Sequence, residues 1–190
     1  MTLSTRHPWL LLSMLVVPLL TLASPAWLRI YGIPPAWAPL WLLPWALVDG
    51  QLSGSVAGLC LGLLLDSLHP GPVSAIPALL LLGWWWGRLG DQGPPIERSF
   101  NLALLAMIGT LGLNLSLMAQ WAWRSWFGLR GLQESVAARL ALPGWHGSDL
   151  ALAGVQVLLS QLLLAALLAP VICSLLLLLF RRLQSTSGRG

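Results

Sequence analysis

Lysine is absent from this chain: all ten basic residues are arginine, and only six residues are Asp or Glu. Charged residues make up 8% of the sequence, against about 25% in an ordinary soluble domain. A polar shell cannot be assembled from so few charges, which excludes a water-soluble globular domain. The net charge of +4 reflects the shortage of acids. The arginines are scattered over termini and loops and form no stripe that could track phosphates, so nucleic acid is not expected as a partner. Cysteine is nearly as scarce. Cys60 and Cys173 lie in separate apolar runs with no CxxC or metal spacing, which fits two small buried hydrophobes. His7, His69 and His146 fall in separate loops or ends, so neither a metal nor a cofactor is expected.

Apolar residues are abundant, at 57% with a mean hydropathy of +0.79, and this composition is that of an integral membrane protein. The expected fold is all-α: a single transmembrane domain bundling about six helices over residues 8–23, 36–48, 52–66, 73–89, 100–120 and 154–180. The first run resembles a signal peptide, with Thr21-Leu22-Ala23 tolerable for cleavage. A retained helix is preferred, because Pro25 follows at once and many spans come later. The second and third runs are shorter than the roughly 20 residues that a perpendicular span needs. They read either as a short hairpin turning at Asp49-Gly50 or as one long broken helix. The hairpin is preferred because Asp49 and Gln51 at mid-bilayer would be costly. Residues 121–149 form a polar extracytoplasmic loop, with a possible amphipathic helix from Leu129 to Leu142.

Six spans place both termini on one side. Arg6, Arg88, Arg98, Arg181, Arg182 and Arg189 then share that side, against Arg29, Arg124, Arg130 and Arg139 opposite. The positive-inside rule therefore puts the termini in the cytoplasm; a five-span chain, splitting the termini, is the alternative. Trp9, Trp27 and Trp121 at span ends, with Arg181 and Arg182 after the last, read as membrane anchors. Trp37, Trp41 and Trp45 recur every four residues and make one helical stripe. That stripe is read as a face packed on lipid or on a neighbour, with a ligand-stacking box as the less economical reading.

Gly50, Gly54, Gly58, Gly62 and Asp66 follow at strict four-residue spacing. In a soluble helix each glycine would cost roughly 1 kcal/mol against Ala. In a bilayer the same spacing makes a groove into which a second backbone fits closely. With Asp49 and Gly50 assigned to the turn, Gly54, Gly58 and Gly62 become the groove for helix packing or partner docking. Asp66 marks its far end and either caps the next turn or pairs with a partner's arginine.

Catalysis finds little to work with. HExxH is absent, and Ser53-Gly54 matches a fragment of an intramembrane serine protease motif without a histidine in another span to act as base. Asp49 and Asp66, 17 positions apart, would lie about 25 Å apart on a helix, too far for a dyad. No enzyme is expected. Asn101, Asn114, Ser116, Gln120, Gln156, Ser160, Gln161 and Ser174 stand inside spans. They suit interhelical hydrogen bonds better than a transport cavity, and no small-molecule substrate is expected.

A short span rich in Trp and Pro, a turn, a GxxxGxxxGLxLD helix with Gly58, Gly62, Leu63 and Asp66 at its end, a Pro/Gly loop and another apolar span together resemble the bacterial rod shape-determining protein MreD family. Length, span number and a basic C-terminal end agree over the whole chain. The His69-Pro70-Gly71-Pro72 loop and the length of residues 121–149 depart from the family pattern. The resemblance implies a non-enzymatic, multi-pass component of the bacterial inner membrane within the cell-elongation complex. Such a component helps to maintain cell shape by coupling MreC and cytoplasmic MreB to lateral peptidoglycan synthesis by RodA and its partner transpeptidase. Beyond these proteins, membrane lipid is its surroundings. The alternative resemblance is to the S component of an energy-coupling-factor vitamin transporter, a fold relative, although the AxxxA docking motif common in that first span is missing from residues 8–23.

The arginine distribution generates a direct test. A topology reporter fused to the C-terminus should give a cytoplasmic signal; a periplasmic signal would replace the six-span arrangement with the five-span one.

Overall fold

Apolar stretches punctuated by Pro and Gly become six helices in the computed structural model, which describes residues 8–25, 28–68, 73–92, 99–126 and 147–187. These are α1 (Pro8–Leu22), α2 (Trp37–Asp49), α3 (Gln51–Leu68), α4 (Ile76–Gln92), α5 (Ser99–Trp126) and α6 (Gly147–Ser187). The breaks fall where the sequence removes a donor or demands unusual dihedrals. Pro34 and Pro35 precede α2, because proline lacks an N–H and restricts the residue before it. Gly50, at φ +86°, separates α2 from α3. Its N–H still donates to Ala46 O at 3.1 Å, while Gly54 N–H donates to Gly50 O at 2.9 Å. One glycine therefore ends one helix and starts the next. Among the described residues the only extended pairing is a bridge between Ile30 and Ile33, closed around Tyr31 and Gly32, both with positive φ.

The helices differ most from the expected spans at the last loop. α5 continues to Trp126 and α6 begins at Gly147, so both ends of the expected 121–149 loop are helical. Residues 127–146, including the amphipathic stretch, lie outside the described residues. α6 has 41 residues, on the order of 60 Å of helix, and carries Pro170 in its interior. The Ser174 hydroxyl donates back to Pro170 O one turn earlier.

α2 is the centre of the bundle. Every residue from Trp37 to Ala46 is buried, and the helix packs against each of the other five. Its sequence alternates Trp, Leu, Ala and Pro with no polar face, and a helix apolar all round has no side to offer water. At 13 residues it is about 20 Å long, too short to cross a bilayer upright. The tryptophan stripe is packed on neighbours, and each indole N–H is answered by a serine. Trp37 donates to Ser24 Oγ (3.1 Å), Trp41 to Ser13 Oγ on α1 (3.2 Å) and Trp45 to Ser53 Oγ on α3 (3.2 Å). Trp41 and Trp45 stack with ring centroids 5.1 Å apart. Cys173 of α6 is fully buried, with its Sγ 3.5 Å from Leu40 O.

The outer faces are as apolar as the core. Leu52, Val56, Leu59 and Leu63 form an exposed row on α3, and Leu159, Leu163, Leu167 and Val171 form another on α6. Rows of this size would be a liability in water and are ordinary against acyl chains. α3, α5 over Phe100–Gln120 and α6 over Gly154–Leu179 are long and apolar enough to cross a membrane. The protein is thus an all-helical bundle with three such helices among its described residues.

Candidate functional site

The glycine ladder lies along α4. A Cβ placed on Gly54 would sit 2.5 Å from Gly83 O, and one on Gly62 would sit 2.7 Å from Ile76 Cα. A Cβ on Gly58 would run into the Leu79 carbonyl. The reverse holds from the other side. A Cβ on Gly87 would lie 2.5 Å from Gln51 Cα and one on Gly83 would strike Gly54 O, while one on Gly90 would lie 2.5 Å from Leu47 O of α2. α3 and α4 therefore run antiparallel with their main chains in direct touch. The groove expected at Gly54, Gly58 and Gly62 is filled within the chain itself.

Each end of this pair is closed by a carboxylate from the helix that ends there. At the end of α3, Asp66 Oδ1 accepts from Ala75 N–H at 2.8 Å and Oδ2 accepts from Ser74 Oγ at 2.6 Å. The same serine oxygen accepts from Ile76 N–H at 3.2 Å. Asp66 is thus a cap for the N-terminus of α4, where the first N–H groups have no helical acceptor and negative charge is favoured. At the end of α4, Asp91 Oδ2 accepts from Gln51 N–H at 3.3 Å, which is the first residue of α3. Gly50 matters twice here. Its positive φ makes the turn, and a side chain in its place would press on Asp91 Oδ1 at 3.0 Å. Asp49 accepts from the Ser53 hydroxyl, whose oxygen in turn accepts the Trp45 indole N–H.

The seam is tied to α5 at two points, and α5 is tied in turn to α6. Gln120 of α5 donates to Ser74 O (2.8 Å) and accepts from Ser74 N–H (2.9 Å), so one amide grips the backbone ahead of α4 from both sides. Asn114 of α5 donates to Gln161 Oε1 on α6 at 2.8 Å. Trp86 of α4, fully buried, lies against Gly109 of α5, where any side chain would meet the indole ring. Its Nε1 has no hydrogen-bond partner among the described residues. Several of the polar residues noted within spans are thus interhelical ties, while Asn101 and Gln156 face outward.

Of the expected anchors, Trp9 lies on α1, Trp121 on α5, and Arg181 and Arg182 on α6, while Trp27 is outside the described residues. No group of three or more His, Cys, Asp or Glu that could hold a metal ion occurs among the described residues. No protein-family model, no curated protein and no solved structure matches this chain. Sequence reasoning missed the partner half of the seam. Gly83 and Gly87 repeat the four-residue spacing of α3, and that signal was available. The expected span ended at residue 89, yet α4 continues through Gln92 and so carries Asp91.

Two substitutions probe this arrangement. Gly58→Ile forces a branched side chain into the Leu79 main chain, which cannot move out of the way, and should destabilise the detergent-solubilised protein by about 3 kcal/mol or more. Val56→Ile on the exposed row is the control and should leave the unfolding midpoint almost unchanged. Equal midpoints for the two variants would refute the close packing. At the cap, Asp66→Ala should cost about 1 kcal/mol, while Asp66→Asn, which accepts comparable hydrogen bonds, should largely retain stability. Similar losses in both would show that the charge, rather than the cap, is what matters.

Proposed function

We propose that this protein is a non-enzymatic inner-membrane scaffold of the bacterial cell-elongation machinery, of the MreD kind, with its termini in the cytoplasm. The observation that carries the reading is the segment from Gly54 to Asp66, with its GxxxGxxxGLxLD pattern, in an all-helical chain of this size. What the segment does in the fold supports the same role. It builds a close helical pair whose carboxylates Asp66 and Asp91, like Asp49 at the end of α2, each accept hydrogen bonds from this chain's own hydroxyl or backbone donors. Carboxylates used in this way hold helices in place, whereas those of a proton relay or a hydrolytic dyad would face a substrate path. The surfaces left over are rows of exposed Leu and Val on α3 and α6, suited to lipid or to the spans of other membrane proteins. In this role the chain contributes a shaped, inert body against which MreC, RodA and its partner transpeptidase assemble, with MreB on the cytoplasmic side.

The decisive experiment is co-expression with MreC from the same bacterium, followed by mild detergent extraction and affinity capture. A stoichiometric complex that survives size-exclusion chromatography is expected. A chain that purifies without MreC and retains a vitamin would overturn the scaffold reading in favour of an S component.

A further inference from the structure

Between α1, α2 and α6 the structure holds a cavity of about 370 Å³, within the size range of small-molecule sites. Its walls include Val17 and Leu20 of α1, Trp37 and Trp41 of α2, and Ile172 and Leu176 of α6. The polar atoms in these walls are already satisfied within the protein. The Trp41 indole N–H is bonded to Ser13 Oγ and that of Trp37 to Ser24 Oγ. Water in such a space would find few partners, and a buried water needs two or more. The cavity is not closed. Val16 and Leu175 on its rim are exposed, at 48% and 62%, on a surface that continues into Leu15 and Leu19 of α1. The opening therefore faces the apolar exterior.

One end of this groove carries a cation. Leu20 and Trp37 meet there, and Ser24 joins them: its hydroxyl donates to Leu20 O (2.6 Å) and accepts from Trp37 Nε1 (3.1 Å). The carbonyl of the same serine accepts from Arg29 Nη2 at 2.7 Å. Among the described residues this is the only hydrogen bond of the Arg29 side chain, which is otherwise exposed. A guanidinium has five N–H donors in a rigid fork, so most of the Arg29 donors are left without a partner among the described residues. Two residues on, the tight turn that bridges Ile30 to Ile33 leaves Tyr31 83% exposed. Arg and Tyr just beyond the end of an apolar helix are placed as headgroup-level residues are.

We propose that this groove is a phospholipid site, with one acyl chain lying between α1, α2 and α6 and the lipid phosphate held by Arg29. The two halves of the site match the two halves of the ligand. The walls provide no hydrogen bond to a polar occupant and the rim opens sideways, which suits an acyl chain entering from the bilayer. The arginine fork at the end provides the planar, paired donors that bind phosphate oxygens well.

The test uses the full-length chain purified in a mild detergent and depleted of lipid, with dioleoyl phosphatidylglycerol added back and bound lipid counted by native mass spectrometry. The wild-type protein should hold one phospholipid per chain. Arg29→Gln, at an exposed side chain that leaves the fold intact, should weaken retention about tenfold, as expected for loss of a charge-assisted contact. Ile172→Trp, which fills the groove from its half-buried wall, should abolish retention. Arg88→Gln, an exposed arginine elsewhere on the surface, should leave retention unchanged. Absence of a bound phospholipid in the wild type, or equal loss in Arg29→Gln and Arg88→Gln, overturns the proposal. Preferential retention of added oleate over the phospholipid also overturns it. Should Ile172→Trp fail to fold, the contrast between the two arginine variants still decides the outcome.

Discussion

Two main chains in direct contact set the geometry of this bundle. Where α3 crosses α4, glycine faces glycine: Gly54 lies on the Gly83 carbonyl, and Gly83 lies on that of Gly54. The apolar exterior of the protein gives no hydrophobic reason for helices to seek one another within a bilayer. Close approach, dense dispersion contact and capped helix ends have to hold them together. The glycines permit the approach, and the two carboxylates, Asp66 on the start of α4 and Asp91 on the start of α3, fix its register. Ser74 and Gln120 then attach the start of α4 to α5, and the asparagine–glutamine pair attaches α5 to α6.

The second organising element is a helix too short to cross a bilayer upright. α2 buries ten consecutive residues and serves as a pillar for its five neighbours. Its tryptophans fill volume, but their indole N–H groups would be costly to bury unanswered. Serines from α1, from the segment after α1 and from α3 answer them. Each tryptophan is therefore held by a serine from another segment. The phospholipid groove lies where this pillar is covered incompletely, between α1 and α6.

Much of this fold was legible in residues alone. Pro34-Pro35 ahead of α2 and Gly50 after it mark helix ends, because they remove donors or adopt positive φ, and the cap at Asp66 follows from the preference of Asp for such positions. What could not be read was pairing. The four-residue spacing of Gly54, Gly58 and Gly62 says that a backbone comes close, but not whose. The matching glycines on α4 were obscured by the three tryptophans around them. The stripe on α2 was legible as a packed face, yet its serine partners lie 8 to 28 positions away, and local periodicity carries no information about distant contacts. Asp91 was missed for a different reason: its role exists only once α4 has been laid along α3.

The glycine seam also has a consequence for how this protein can change over generations. In an ordinary core, a residue that grows can be accommodated by a neighbour that shrinks. At Gly54 and Gly83 each side chain is already a hydrogen, so neither position has anything left to give up. Relief would require one whole helix to shift, and the caps at both ends would be lost together if it did. These positions therefore admit no local suppressor. Variation is directed outward, to the exposed leucines and valines, where this body can be fitted to a different membrane or neighbour while its interior stays the same.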